Sequence, residues 1–221
     1  MKKLRLANWL GPAVLALGLS NAAHAALIFD NGIPSVANPT GSNLSDTQQG
    51  QDFFLTSITS ISSIRFWTLE LSSLDYLNSI FWEIRGNNSG VPGNTLVASG
   101  TAAPTRATAG TVSLGGTNFN QFQNDFTVNV NNLASGFYWL TLHNGGINAT
   151  TFTDFYWSAA DTNTTAYLGQ EMGLNPLTSW TTNEQELAFQ IYGTSVSTPE
   201  PATFGLAGFA LVLVGLTRKR D

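Results

Sequence analysis

No cysteine occurs anywhere in the 221 residues, which excludes disulfides, thiol nucleophiles, thiolate zinc sites and iron–sulfur clusters. Lysine is confined to Lys2, Lys3 and Lys219. Between residues 26 and 198 the only cations are Arg65, Arg85 and Arg106, against twelve carboxylates from Asp30 to Glu186, a net charge of −9. Such a surface repels phosphate backbones and argues against nucleic-acid binding; it suits solubility outside a cell, or attraction of cations. Histidine is almost as scarce, with only His24 and His143. A Ser-His-Asp arrangement would have to be built on His143, and neither G-x-S-x-G nor H-E-x-x-H is present. His143 precedes Asn144-Gly145-Gly146, a hairpin-turn signal that predicts a solvated side chain. No glycine-rich loop follows a strand and opens a helix, so nucleotide chemistry lacks a signature.

Helical periodicity is missing from the interior as well. What is there has period two. Ile80, Trp82 and Ile84 alternate with Phe81, Glu83 and Arg85. Phe126, Val128 and Val130 alternate with Thr127 and Asn129, and Leu187, Phe189 and Ile191 with Ala188, Gln190 and Tyr192. Strands with one face on a core read this way. Turn signals at 30–32, 85–94, 114–116 and 143–146 separate them. The pattern predicts an all-β fold over residues 26–193, a single antiparallel β-sandwich of jelly-roll-like type. The repeated Phe-Tyr-Trp at 137–139 and 155–157 is expected to form two strands of one hairpin.

The two ends differ from this middle. Lys2, Lys3 and Arg5 precede an apolar run from Trp9 to Leu19, and Ala23-His24-Ala25 gives a small-x-small pattern. That is the build of a secretory signal peptide over residues 1–25, cut by signal peptidase after Ala25. At the other end, residues 194–201 form a polar linker that closes in Pro199-Glu200-Pro201. Residues 202–221 comprise an apolar run, Ala202–Thr217, and then Arg218, Lys219 and Arg220. As a helix that run reaches roughly 24 Å, short of a hydrocarbon core of about 30 Å. Snorkelling cations recover part of the gap and place the tail on the cytoplasmic side. The two ends predict one topology: an inner-membrane precursor with its domain exported.

Pro-Glu-Pro, a short apolar span and a basic cluster, in that order behind a signal peptide, resemble the PEP-CTERM sorting signal of exported bacterial proteins. The resemblance covers Ser197 to Asp221, and Asp221 departs from the usual basic ending. It implies recognition by an exosortase, cleavage near Pro199 to Pro201, and a mature form at the cell surface or secreted, often beside extracellular polysaccharide. The interior also resembles a body type recurrent among such proteins, one with no activity attached to it.

Candidate binding residues follow from the alternation. Phe81, Glu83 and Arg85 share the face of their strand that points away from the core, and of the alternating sets Phe137/Trp139 and Tyr138/Leu140/Leu142 only one can be internal. Aromatic faces stack on the apolar faces of sugar rings while neighbouring polar groups take hydroxyls. Phe81, Glu83, Arg85 and Trp139 are therefore the candidate glycan contacts of a non-catalytic, structural or glycan-associating protein. The competing expectation is a secreted carbohydrate-active enzyme using two of the twelve carboxylates. No cofactor is implied; calcium is a weaker option, with Asp30 and Asn31 as candidate oxygen ligands.

Overall fold

The computed structural model describes residues 25–35, 39–149, 151–161, 165–173 and 179–196. The sorting motif, the apolar span and all but Ala25 of the signal segment lie outside them. Among the described residues every regular element is a strand. One sheet holds β1 (Ala26–Asp30), β2 (Gly41–Asn43), β4 (Thr59–Glu70), β7 (Thr105–Leu114), β8 (Thr117–Leu133), β10 (Phe155–Ser158) and β13 (Phe189–Ser195). The other runs β12 (Thr181–Thr182), β11 (Gln170–Gly173), β3 (Thr47–Leu55), β9 (Gly136–Asn144), β5 (Ile80–Asn88), β6 (Val91–Ala102). All pairings within the sheets are antiparallel, so the all-β expectation holds.

The spine of the first sheet is β4. It pairs with β8 along one side and on the other with β13 and then β10. The period-two residues point where the sequence puts them. Ile80, Trp82 and Ile84 of β5 meet Phe126, Val128 and Val130 of β8 and Phe189 and Ile191 of β13 in one core. Trp157 sits at its centre, edge-on to Phe66 at 6.2 Å and to Phe189 at 5.9 Å. Its indole N–H donates to the Ala188 carbonyl at 2.8 Å, so burying this ring strands no polar group.

Two sequence expectations fail. Phe137-Tyr138-Trp139 lies in β9 of the second sheet and Phe155-Tyr156-Trp157 in β10 of the first, so the triplets belong to opposite layers and not to one hairpin. His143 is not a solvated turn residue: β9 continues through Asn144, the reversal begins at Gly145, and His143 is fully buried. Position explains it. β9 runs between β3 and β5, so both of its edges are paired and the strand carries through His143 instead of opening into a turn there. Neither ring nitrogen makes a well-formed hydrogen bond. Burial pushes the imidazole pKa down, although backbone groups of Ser45, Gly146 and Gly145 pull the other way.

The outlying β7–β8 hairpin is pinned by charge. Glu70, at the end of β4, is fully buried, and its Oε1 accepts from the Arg106 guanidinium of β7 and from the Thr68 hydroxyl at 2.8 Å. Arg106 lies between the rings of Tyr76 and Phe122, 4.3 and 4.2 Å from their centres, and its Nε donates to Asn124 Oδ1 at 3.0 Å. Burial raises the Glu70 carboxyl above its ordinary pKa, and the bonds from Arg106 and Thr68 oppose that rise. Removing one member of a buried pair leaves a charge with no counterion, at a cost of about 3–5 kcal/mol, whereas replacing both members is often near neutral. Arg106→Met is therefore expected to lower unfolding free energy in urea by about that amount, and Glu70→Gln combined with Arg106→Met to recover most of it. Equal losses in the single and double variants would show that the pair does not hold the hairpin.

Candidate functional site

The second sheet turns one face to the core and the other outward, and the outward face collects polar chemistry. Register brings Gly50, Thr141 and Glu83 side by side across β3, β9 and β5. Gln48 Nε2 reaches both Glu83 Oε2 and Thr141 Oγ1 at 2.7 Å, and Thr141 Oγ1 donates to Glu83 Oε2 at 3.1 Å. Arg85 grips the same carboxylate with two bonds, Nε to Oε2 at 2.8 Å and Nη2 to Oε1 at 3.0 Å, while Nη1 donates to the Gly93 carbonyl at 3.2 Å. A guanidinium held in a two-point fork presents one fixed orientation. The outward-facing strand pattern places Glu83 on the surface, yet only 6% of it is exposed.

What covers it is a layer laid over the sheet. Pro92 and Trp180 lie over Gly50, where a Cβ would stand in van der Waals contact with each at 3.4 Å. Between Arg85, Asn88, Val91, Pro92, Asn94, Met172, Ser179 and Trp180 they leave a cleft of about 480 Å³. Of the five tryptophans in the described domain, Trp67, Trp82, Trp139 and Trp157 are buried, whereas Trp180 is half-buried and forms a wall of this cleft. Trp139 is the anticipated contact that the fold takes out of reach. It points outward but is fully buried under Tyr167, with ring centres 6.2 Å apart and nearly parallel, and its N–H donates to Asn87 Oδ1 at 2.9 Å. Trp139 is part of the packing. Phe81 stands two pairs along from the Glu83 row, opposite His143, and is half-buried.

A second cleft, of about 320 Å³, opens where β3 and β9 end, between Phe29, Asp52, Phe54, Phe137, Thr165 and Ala166. Phe54 and Phe137 face each other with centres 4.7 Å apart and remain 43% and 37% exposed. Asp52 is fully buried and accepts from Gln51 Nε2 at 3.0 Å and from the Ala166 amide at 3.3 Å. Behind the wall, the Thr165 hydroxyl lies 2.7 Å from Glu186 Oε2 and 2.9 Å from the Tyr167 carbonyl, with one proton for two acceptors. Glu186 Oε1 is buried without a partner. Burial raises the pKa of Asp52 against the bonds from Thr165, Gln51 and Ala166. Burial raises Glu186 too, and the nearby charge of Asp52 adds to the rise while Thr165 and Asn31 oppose it.

Asp30 and Asn31 fall at the far side of this network. Asp30 Oδ1 accepts from the Gly32 amide at 2.9 Å, which makes the loop an Asx turn. Asn31 is buried and its amide donates to the Leu187 carbonyl at 2.9 Å and to Glu186 Oε2 at 3.5 Å. Among the described residues no three His, Cys, Asp or Glu side chains are grouped as a metal site. The sequence reading thus finds Glu83 and Arg85, which the structure joins, and misses Trp180, Asp52 and Glu186. One signal for Trp180 was available: it lies in a polar stretch, Thr178-Ser179-Trp180-Thr181-Thr182, with no alternation to give it a core position. Comparison with protein families, curated proteins and solved structures returns no match to this chain.

A carboxyl whose folded pKa is raised contributes its full stability below the unfolded value and loses it as pH climbs through the folded one. Asp52→Asn keeps the shape and removes the titration. Its melting temperature is expected to exceed that of the parent at pH 7 and to converge on it as pH falls towards about 4, the ordinary carboxylate range. A constant difference across that window would show that Asp52 is not held above its ordinary value. Taking the difference between the two proteins cancels His143, whose lowered pKa acts in the opposite sense.

Proposed function

We propose that the chain is an exported protein of the cell surface or extracellular matrix, with a non-catalytic domain that associates with glycans. In this reading signal peptidase cuts after Ala25, and the precursor is held in the inner membrane by residues 202–221. An exosortase then processes it at Pro199-Glu200-Pro201, with Arg218, Lys219 and Arg220 fixing orientation. The domain between is a jelly-roll-like sandwich. The domain's limits support the assignment: β1 starts at Ala26, next to the expected cut, and β13 ends at Ser195, just short of the proline pair.

The observation that carries glycan association is the cleft beside Arg85. It pairs a half-buried tryptophan wall with a guanidinium locked by Glu83 and with Asn88 and Asn94 at its exposed rim. An indole face takes the C–H face of a sugar ring, and the fixed donors and rim amides take hydroxyls. Its volume of about 480 Å³ lies within the usual range of small-ligand sites, about 300–1,000 Å³. Because Arg85 is neutralised and the domain is strongly acidic, an uncharged polysaccharide suits this cleft better than an anionic one.

Two measurements test this. In affinity electrophoresis through neutral polysaccharides the purified protein should be retarded, and Trp180→Ala should weaken retardation by at least ~10-fold in apparent Kd, about 1.4 kcal/mol. Unchanged retardation would remove the cleft from the reading. Reducing-sugar release that disappears on changing one carboxylate would replace it with the carbohydrate-active enzyme. For sorting, the intact mass of the secreted form should lack residues 1–25 and everything past about Pro199. A mature form still carrying Arg218 to Arg220 would refute exosortase processing.

A further inference from the structure

Every cation of the described domain is already engaged. Arg65 pairs with Asp125 at 2.7 Å, Arg85 with Glu83 at 2.8 Å, and Arg106 with Glu70. Asp52 and Glu186 share one hydrogen-bond network through Thr165, and no arginine, lysine or histidine side chain pairs with either among the described residues. Desolvated carboxylates without a counterion are costly to keep in a fold. Here they lie at and just behind the floor of an open cleft with Phe54 and Phe137 at the mouth, Phe29 beside them, and Thr165 and Ala166 completing the lining; Tyr167 backs Phe137, ring centres 5.7 Å apart.

The walls and the floor ask for different things from a ligand. Ring faces carry negative electrostatic potential and attract an organic cation, and they also take an apolar C–H surface. A hard metal ion seeks oxygens in every direction and gains nothing from aromatic walls. A carboxylate floor prefers an ammonium group to a hydroxyl, because a charge-assisted hydrogen bond is roughly twice as strong as a neutral one. The cleft's volume of about 320 Å³ sits at the small end for ligand sites, about 300–1,000 Å³, with room for one ring rather than a chain segment. The acidic surface around it draws in a polymer of positive charge.

We propose that the cleft of Phe54, Phe137 and Asp52 is a second glycan site that binds a hexosamine residue with a free amine, the ring stacked on the two phenylalanines and the ammonium directed at Asp52. It takes from the previous section only that the domain meets glycans; its residues are different, and its ligand is cationic where that of the Trp180 cleft is neutral.

Isothermal titration of the purified protein at neutral pH with a glucosamine trimer, the same trimer N-acetylated, a neutral glucan oligomer and a lysine trimer separates the readings. The glucosamine trimer should bind at least ~10-fold more tightly than its acetylated form. Asp52→Asn and, separately, Phe54→Ala should each abolish that preference, while Trp180→Ala leaves it intact. General attraction to an acidic protein cannot imitate this, since Asp52→Asn removes one of many negative charges. Equal binding of the two sugar trimers, or a preference that survives both Asp52→Asn and Phe54→Ala, would overturn the site. A lysine trimer that binds as tightly and with the same dependence on Asp52 would overturn the sugar as its ligand. Glucan binding lost in Trp180→Ala without any amine preference would sink this proposal and leave the neutral-glycan cleft standing; the reverse pattern would do the opposite.

Discussion

The fold depends on keeping its buried carboxylates Glu70 and Glu83 paired with a scarce cation. With twelve carboxylates between residues 26 and 198 and no lysine among them, three arginines are all that this stretch has to offer. Arg106 ties the outlying β7 to the end of β4 through Glu70. Arg65 bridges β4 to Asp125 of β8 and lies over Tyr192 of β13, 5.4 Å from its ring centre, so one side chain spans three neighbouring strands. Arg85 organises the outer face of the second sheet around Glu83. The three differ in what they contribute. The Arg65 pair is about a third exposed and contributes little to stability, whereas Glu70 and Glu83 are buried, so their partners keep a desolvated charge from standing alone.

That scarcity explains the polar second layer. An antiparallel sheet of this width can leave one face in water, but here the segments around Tyr167 and Trp180 fold across β3 and β9. Covering a polar face requires each group beneath to find a partner. Glu83, Thr141 and Gln48 do so among themselves and with Arg85. Trp139 does so through Asn87, and Gln51 by donating to Tyr167 O while its own carbonyl takes the Leu187 amide. Tyr167 joins the two clefts. Its ring touches Phe137 on one side, and it lies so close to Gly90, in the turn after β5, that a Cβ there would come within 3.0 Å of it. Gly90 also has a φ of +90°, which disfavours any other residue at that turn.

Period-two alternation was a reliable guide to the core because burial on one face of a strand is set locally. Ile80, Trp82 and Ile84, or Phe126, Val128 and Val130, needed no knowledge of their neighbours. The second layer was illegible for the same reason. Whether the outward face of a strand stays wet depends on what crosses it from far along the chain: Trp180 lies 130 residues from Gly50 in sequence yet packs on it. Glu83 and Arg85 could be paired from their spacing, but not seen to be buried. Trp139 looked like a surface aromatic because nothing near it in sequence announces Tyr167. Asp52 stood unremarked in "GQDFFL" since a single acid between strand residues reads as an outward, solvated position. His143 erred in the other direction, as its glycine-rich neighbours mark the turn but not the residue at which the strand stops.

The contrast between the two clefts is the remaining physical fact. On one side of Tyr167 a buried carboxylate has a forked guanidinium, a glutamine and a threonine. On the other, Asp52 and Glu186 divide one threonine proton, two side-chain amides and a backbone N–H between them, with one carboxylate oxygen left over. Local packing does not force the charge at Glu186, whose Oε1 has no partner, because a Gln of the same shape carries none. A chain that gives its buried carboxylates Glu70 and Glu83 an arginine each, one Glu70 oxygen staying without a hydrogen bond, and gives none to Asp52 and Glu186 beside an aromatic-walled opening carries a standing cost there. A ligand that brings the missing positive charge lowers that cost on binding, so part of its affinity comes from relieving the protein rather than from new contact area. Such a site favours a cation over a neutral analogue of equal size by more than one added hydrogen bond would give, since the unbound state already carries the penalty.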